Sequence, residues 1–282
     1  MMTFKSILYA TTFAVGAMLF APGAAQAGSY ILSGTDSDDH GGFSGGVNVG
    51  GWLFMQKVLE NLSSTVSVNT ANRVIVSLGT SGATAGSAAA SAYSQALLVG
   101  SGWTFVTIDG TTSVNNYLTG LTVGTTNLAN TAIIMLDSSA NNVSGGISSA
   151  EEALLTSNAG SLNSVLSSGG GLFSQSNSYG WLAALLPGAA SGGTGSASPL
   201  TLTTAGNAAF PALTNSDLST GPWHSSFTGI GATPVLATSI GQDVIIGSST
   251  GNIVTNAPEP LSMALLGTGL VGLGLARRRR RA

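Results

Sequence analysis

The chain has 282 residues, of which 43% are hydrophobic, 7% are charged and 40 are glycine, and it contains no cysteine. The absence of cysteine excludes disulfide scaffolds, cysteine-ligated zinc sites and cysteine nucleophiles. Residues 28–256, which leave out both apolar ends, contain two cations and ten acids and carry a net charge of −8, so they cannot neutralise a run of phosphates and a nucleic-acid partner is excluded.

Residues 1–27 have the pattern of a secretory signal peptide. Lys5 precedes an uncharged apolar run at residues 7–20, and the segment ends in the small residues Ala25-Gln26-Ala27. The apolar run is shorter than the ~20 residues that a membrane span needs. We therefore predict cleavage before Gly28, the alternative being an uncleaved anchor.

The middle of the chain predicts an α/β fold. Apolar runs of strand length alternate with segments of helical spacing. Strands are predicted at residues 30–33, 73–78, 104–108, 131–136 and 169–174. Helices are predicted around residues 54–62, at 88–99, and from a capping box at 149–152 to residue 166. Near-continuous apolar strands separated by helices favour a mostly parallel sheet flanked by helices.

The pattern changes beyond residue 190. Short strands are predicted at residues 200–203, 234–239 and 243–247, and the last two are close enough in sequence to pair antiparallel. The low-complexity stretch 189–198 predicts a mobile surface loop.

Acidic residues follow the first predicted strand directly. They are Asp36, Asp38 and Asp39, with His40 beside them. Ligands bind beyond the carboxyl ends of parallel strands, and a cation relieves the repulsion between neighbouring carboxylates. Ca²⁺ or another divalent metal is therefore the candidate cofactor. The spacing is not that of an EF-hand, because position 12, counted from Asp36, would be Val47 instead of glutamate. The alternative is a solvated loop with Asx turns.

His224 and Ser174 are the candidate catalytic residues. His224 would face Asp36, Asp38 and His40 if the late loops fold back over the carboxyl edge of the sheet; otherwise it packs beside Trp223. Ser174, like Ser176, comes at the end of the fifth strand, where a nucleophile would be accessible, with two histidines in the chain as candidate bases.

The C-terminus predicts a single transmembrane helix. Residues 261–276 are uncharged and mostly aliphatic, and as a helix they cover about 24 Å. Five arginines follow directly: Arg277, Arg278, Arg279, Arg280 and Arg281. By the positive-inside rule they remain cytoplasmic, which places the body outside.

Pro258, Glu259 and Pro260 stand directly before this helix. The tripeptide, the short apolar helix and the arginine cluster together resemble the PEP-CTERM sorting signal of Gram-negative bacteria. The resemblance implies that a membrane-embedded exosortase recognises the tripeptide and cuts near it. The two prolines hold the backbone extended and remove two N–H donors, which suits a protease site. A plain single-span anchor is the alternative.

The order of elements over residues 30–250, with a glycine-led strand at 169–174, is similar to the class I glutamine amidotransferase-like fold. The resemblance implies an α/β sheet. Amidotransferase activity is not implied, because those enzymes place a cysteine in a strand-to-helix turn and this chain has none.

The sequence thus divides into a signal peptide (1–27), an exported body (28–256) and a sorting segment (257–282). We predict a cell-surface or extracellular-matrix protein that is transiently anchored in the inner membrane with its body in the periplasm, and that has no assigned catalysis. Its predicted partners are the secretion machinery, an exosortase, the membrane through residues 261–276, and exopolysaccharide. The alternative is a periplasmic or extracellular hydrolase or metal-dependent enzyme that uses the loop from Asp36 to His40.

Overall fold

The structure is a computed structural model that describes residues 28–66, 73–195 and 199–248. The predicted signal peptide, the predicted transmembrane helix at 261–276 and the whole sorting segment lie outside the described residues. Across the three described ranges, no helix has both the length and the apolar character that crossing a membrane requires.

The described residues contain twelve strands. They are β1 (Tyr30–Ser33), β2 (Gly41–Ser44), β3 (Val47–Gly50), β4 (Val74–Leu78), β5 (Thr104–Ile108), β6 (Thr131–Leu136), β7 (Gly171–Gln175), β8 (Ala190–Gly192), β9 (Thr201–Leu202), β10 (Ser226–Thr228), β11 (Val235–Ser239) and β12 (Gln242–Gly247). The α-helices of the same residues are α1 (Gly51–Thr65), α2 (Thr84–Gln95), α3 (Thr111–Leu118), α4 (Ser149–Ser157), α5 (Ala159–Ser167), α6 (Leu182–Leu185), α7 (Thr204–Ala209) and α8 (Asn215–Leu218).

The central sheet is mostly parallel. Strands β5, β4, β6, β7 and β1 are neighbours in that order and all run parallel. Beyond β1, the sheet continues antiparallel through β12, β10 and β8, while β11 pairs with β12 and β9. The predicted parallel sheet with short antiparallel strands near the C-terminal end of the body is confirmed.

Helices cover both faces of this sheet. Phe54 and Val58 of α1 join Ala88 of α2 in one hydrophobic core. Leu155 of α4 and Leu182 of α6 belong to a second core on the other face. Strand β6, in the middle of the parallel part, is buried at all six positions, as expected of a strand that is covered on both sides.

The first core is organised around aromatic side chains. The ring of Phe54 meets the rings of Phe173 and Phe210 edge to face, with centroids 6.0 Å and 5.5 Å apart. All three side chains are buried. Because Phe173 belongs to β7 and Phe210 directly follows α7, these contacts fasten α1 to both the parallel strands and the late part of the chain.

Several elements differ from the sequence prediction. Strands β2 and β3 form a hairpin between the first predicted strand and the first predicted helix, where no strand was predicted, and α3 was missed. The capping box consists of Ser148 and Glu151, one residue earlier than predicted. The prediction of a mobile loop at 189–198 was wrong for β8, because Ala190–Gly192 pairs with β10.

Candidate functional site

The candidate site lies at the carboxyl ends of the parallel strands. Strands β1 and β4 lead towards α1 and α2 on one face, whereas β6 and β7 lead towards α4 and α6 on the other. Strand β5 also leads to this second face, through α3, so the connections diverge at three places along this edge: between β5 and β4, between β4 and β6, and between β7 and β1. Such divergence opens the crevice in which α/β sheets bind ligands.

Asp36 is the centre of a cluster that includes both histidines of the chain. Its Oδ2 atom lies 2.9 Å from Nε2 of His224 and 3.3 Å from Nε2 of His40. Asp39 is adjacent, with its Oδ2 atom 3.8 Å from Nε2 of His40. The Asp36 side chain is 4% exposed, whereas His40 and His224 are 32% and 31% exposed. The cluster is therefore a buried carboxylate beneath two imidazoles that reach solvent.

The backbone around His40 fixes the position of its ring. The amides of Asp39 and His40 both donate to the Asp36 carbonyl oxygen, at 3.0 and 3.3 Å. The His40 carbonyl oxygen accepts from the Gly51 amide at 2.9 Å and from the Thr220 hydroxyl at 2.6 Å. Gly221 leaves no room for a side chain beside the ring, since a Cβ atom there would come within 2.2 Å of the imidazole.

His224 lies in the loop that precedes β10, far from Asp36 in sequence. Its amide donates to the Gly34 carbonyl oxygen at 2.7 Å, and Trp223 forms an isolated antiparallel bridge with Thr35. This late loop therefore runs beside the end of β1 and brings His224 to Asp36. The buried Trp223 ring packs under Gly195, where a Cβ atom would lie 2.0 Å from the ring.

Asp38 is turned away from the histidines. Its two carboxylate oxygens accept hydrogen bonds from the amide and the hydroxyl of Ser138, at 2.9 and 2.6 Å. Burial and, to a lesser degree, the nearby Asp137 carboxylate raise the pKa of Asp38 to about 7, while the bonds from Ser138 oppose the shift. Asp38 thus joins the loop after β1 to the loop after β6.

Asp137 is a second buried carboxylate at this edge. It accepts from the hydroxyls of Thr80 and Ser77, at 2.8 and 3.1 Å, and from the side-chain amide of Gln175, at 3.1 Å. Burial raises its pKa to about 6, against these hydrogen bonds, which lower it. Asp137 therefore ties β4, β6 and β7 together where they end.

The structure does not bring Ser174 to a histidine. The Ser174 side chain is fully buried, and its hydroxyl accepts from the side-chain amide of Asn177 at 2.7 Å. Ser176 directly follows β7 with a φ of 22°, and its hydroxyl accepts from the side-chain amide of Asn142 at 3.3 Å. Among the described residues, neither serine has a histidine as a hydrogen-bond partner.

Comparison with known proteins identifies the C-terminal end. Residues 256–281 match the PEP-CTERM protein-sorting motif. This motif implies an exported protein that is processed by an exosortase, and it points to the cell surface or the extracellular space. The match includes the Pro-Glu-Pro tripeptide and all five arginines singled out in the sequence, which lie outside the described residues.

No curated protein matches the chain. The body is therefore interpreted from its own geometry. Sequence order pointed to Asp36, Asp38, Asp39 and His40, which follow the first strand, and to His224 as the other histidine of the chain. Of these residues, Asp38 is bonded to Ser138 instead of contacting the histidines. Sequence patterns gave no sign of Thr80, Ser138 or Gln175, since serine, threonine and glutamine occur throughout a chain of this composition.

Proposed function

We propose that the chain is an exported protein whose α/β body, residues 28–256, is delivered to the cell surface or the extracellular matrix after an exosortase cuts near Pro258, Glu259 and Pro260. The single observation that supports this function is the sorting motif at 256–281. In this proposal, residues 261–276 hold the chain in the inner membrane until processing, and the five arginines keep the tail cytoplasmic.

Replacing both prolines of the tripeptide tests the sorting step. The double variant P258A/P260A restores two N–H donors and frees the backbone that the protease would grip. We expect the variant to stay cell-associated at full length, with its released form reduced at least about tenfold, the change that 1.4 kcal/mol of lost recognition produces. Immunoblots of cells and medium measure both forms.

The control for this test is P187A/P211A, which removes two exposed prolines from the body. It has the same number of Pro→Ala changes and should be released like the natural chain. Normal release of P258A/P260A would contradict processing at the tripeptide.

The surface composition of the body suits a hydrated matrix. The ten acids and two cations of residues 28–256 stand among many serine, threonine, glycine and asparagine residues. Hydroxyls and amides make numerous weak hydrogen bonds to sugar hydroxyls, and they are also sites for glycans. We accordingly propose exopolysaccharide as the surrounding partner. The likeness of the body to the class I glutamine amidotransferase-like fold stays a proposal about its fold alone, without the cysteine chemistry.

The second candidate function is an extracellular hydrolase or metal-dependent enzyme that uses the loop from Asp36 to His40. The contact of both histidines with Asp36 at the carboxyl edge of the sheet supports it, since catalytic acids and bases need partners of this kind. Assays of the purified chain on ester, phosphate-ester and glycoside panels test it. Activity that H40A and H224A both retain would contradict it.

A further inference from the structure

Asp36 is a buried carboxylate with incomplete partners. Its Oδ2 atom contacts two imidazoles, but its Oδ1 atom is buried and has no hydrogen-bond partner in the described part of the chain. Burying an ionised carboxylate is costly unless a cation or a full set of donors compensates it. Lys57 is paired with Glu60 and therefore does not supply this cation.

We propose that Asp36, His40 and His224 bind one divalent transition-metal ion, with Zn²⁺ as its representative, and that Asp39 is the adjoining carboxylate on the solvent side. This proposal deepens the second candidate function, for which it names the metal. It does not depend on the sorting proposal, because none of these residues belongs to the sorting motif.

The ligand types select the class of metal. Two imidazole nitrogens and one carboxylate oxygen suit Zn²⁺ and its transition-metal neighbours, whereas Ca²⁺ and Mg²⁺ prefer sets made of oxygen atoms alone. Asp36, Asp39 and His40 already place one ligand atom each within 4.8 Å of one another. His224 does not belong to that group and reaches it through the 2.9 Å contact of its Nε2 atom with Oδ2 of Asp36. Three protein ligands leave a coordination position for water, which is the arrangement of catalytic rather than structural zinc sites.

The backbone holds the ligands in place independently of any metal. The turn in which Asp36 accepts the Asp39 and His40 amides fixes one side of the cluster, and the bond from the His224 amide to Gly34 fixes the other. Ligands that are positioned by such contacts lose little conformational freedom when the ion binds. The partly exposed imidazoles also give the ion a path from solvent.

A Co²⁺ titration tests the site, because Co²⁺ replaces Zn²⁺ in such ligand sets and absorbs visible light when bound. The full chain is purified in mild detergent without a histidine tag, stripped with a chelator and titrated with Co²⁺ and then with Zn²⁺. We expect one Co²⁺ per chain, with absorption that Zn²⁺ abolishes and that a large excess of Ca²⁺ leaves unchanged. H40A and H224A should each weaken binding at least about 100-fold, beyond the usual effect of losing an outer-shell partner.

D36N should weaken Co²⁺ binding as the two histidine variants do, and D109N is its matched control. Asp109 follows β5 at the same edge of the sheet and is exposed, outside the cluster, so D109N should bind like the natural chain. If D36N fails to fold, the two histidine variants decide the matter, with folding checked by circular dichroism in chelator.

Absence of Co²⁺ and Zn²⁺ binding by the folded chain would overturn the proposal. Equally tight binding by H40A and H224A, or displacement of Co²⁺ by Ca²⁺, would also overturn it. Binding is measured without a substrate. Metal binding without hydrolysis would therefore support the metal site and contradict only the proposed enzyme activity. The release of P258A/P260A is unaffected by any of these outcomes.

Discussion

Hydroxyl side chains donate hydrogen bonds to buried carboxylates at the carboxyl edge of the sheet. Asp38 and Asp137 are both fully buried, and the body has few cations to pair with them. Ser77, Thr80 and Ser138 donate to these carboxylates instead. A buried polar group is tolerated when it is hydrogen-bonded, so the abundance of serine and threonine allows this acidic body to bury carboxylates between neighbouring loops.

The raised pKa of Asp137 predicts that stability depends on pH. The folded chain keeps this proton up to about pH 6, whereas the unfolded chain releases it near the ordinary value of 3.8. Between these values the folded state binds more protons, so the free energy of unfolding decreases as the pH rises. We expect Asp137 to account for a loss on the order of 3 kcal/mol.

Urea unfolding at a series of pH values between 4 and 7 measures this loss. D137N has no proton to release at this position, and it also removes the carboxylate that raises the pKa of Asp38. The difference between the two proteins therefore reports Asp137 together with its effect on Asp38. Parallel pH profiles for the natural chain and D137N would contradict the prediction.

Gly221 determines where the His40 ring lies. A Cβ atom at position 221 would come within 2.2 Å of the ring, which no packed contact allows. G221A should therefore displace the imidazole while the fold remains intact. Because the chain has two histidines, NMR shows two sets of ring signals, and we expect the His40 set to shift.

G42A is the control for this change. An added Cβ atom at Gly42 meets no atom within 4 Å, although Gly42 is close to His40 in sequence. Its histidine signals should stay in place. Unchanged His40 signals in G221A would show that the ring is not held by this contact.

At the level of the elements, the sequence predicted the buried strands best. All five parallel strands are apolar runs of strand length, and four of them are buried on both faces, which leaves little freedom in composition. The edge strand β5 is partly exposed. The β2–β3 hairpin was missed for the opposite reason: Phe43, Val47 and Val49 are exposed and glycines surround them. Gly45 and Gly46, with φ values of 60° and 87°, make the turn, and glycine pairs suit such hairpin turns.

Helix α4 shows how a local signal can be right in kind and displaced by one residue. Ser148 accepts from the Glu151 amide, and the Glu151 carboxylate accepts from the Ser148 amide at 3.0 Å. The same carboxylate accepts from the Gly110 amide at 2.9 Å. The cap therefore also holds the loop that precedes α3, a contact that no local pattern contains.

Removing this cap should destabilise the fold. S148A loses the hydroxyl that satisfies the first turn of α4, and we expect a decrease of about 1 kcal/mol in the free energy of unfolding, measured by urea unfolding. S157A, near the exposed end of the same helix, is the control and should change stability by less than about 0.5 kcal/mol. Equal losses for both variants would argue against the capping role.

At the scale of the whole molecule, the candidate site was only partly predictable. The Asp36–His40 loop follows a predicted strand directly, so the order of elements predicted its place at the sheet edge. The contact between His224 and Asp36 could not be predicted in this way, because the two residues are 188 positions apart in the chain. That contact depends on β12 returning beside β1 and on the loop before β10 lying against Gly34, and neither long-range pairing leaves a local signature.

The chain separates its charges between body and tail. Residues 28–256 carry a net charge of −8, and the five arginines stand together after the apolar segment. Gly28, the predicted first residue of the mature chain, is buried and donates its amide to the Leu166 carbonyl oxygen at 2.6 Å. Cuts before Gly28 and near the Pro-Glu-Pro tripeptide would therefore release the packed body with its acidic charge and without its cationic end.

Intact-mass analysis of the protein released into the medium tests this account most directly. We predict a chain that begins at Gly28 and ends near Pro258–Pro260, without residues 261–276 and without the arginines. Peptide mapping of the two ends would distinguish glycan mass from uncut sequence. Recovery of the chain from the medium with residues 1–27 and 261–282 both still attached would contradict export through signal cleavage and exosortase processing.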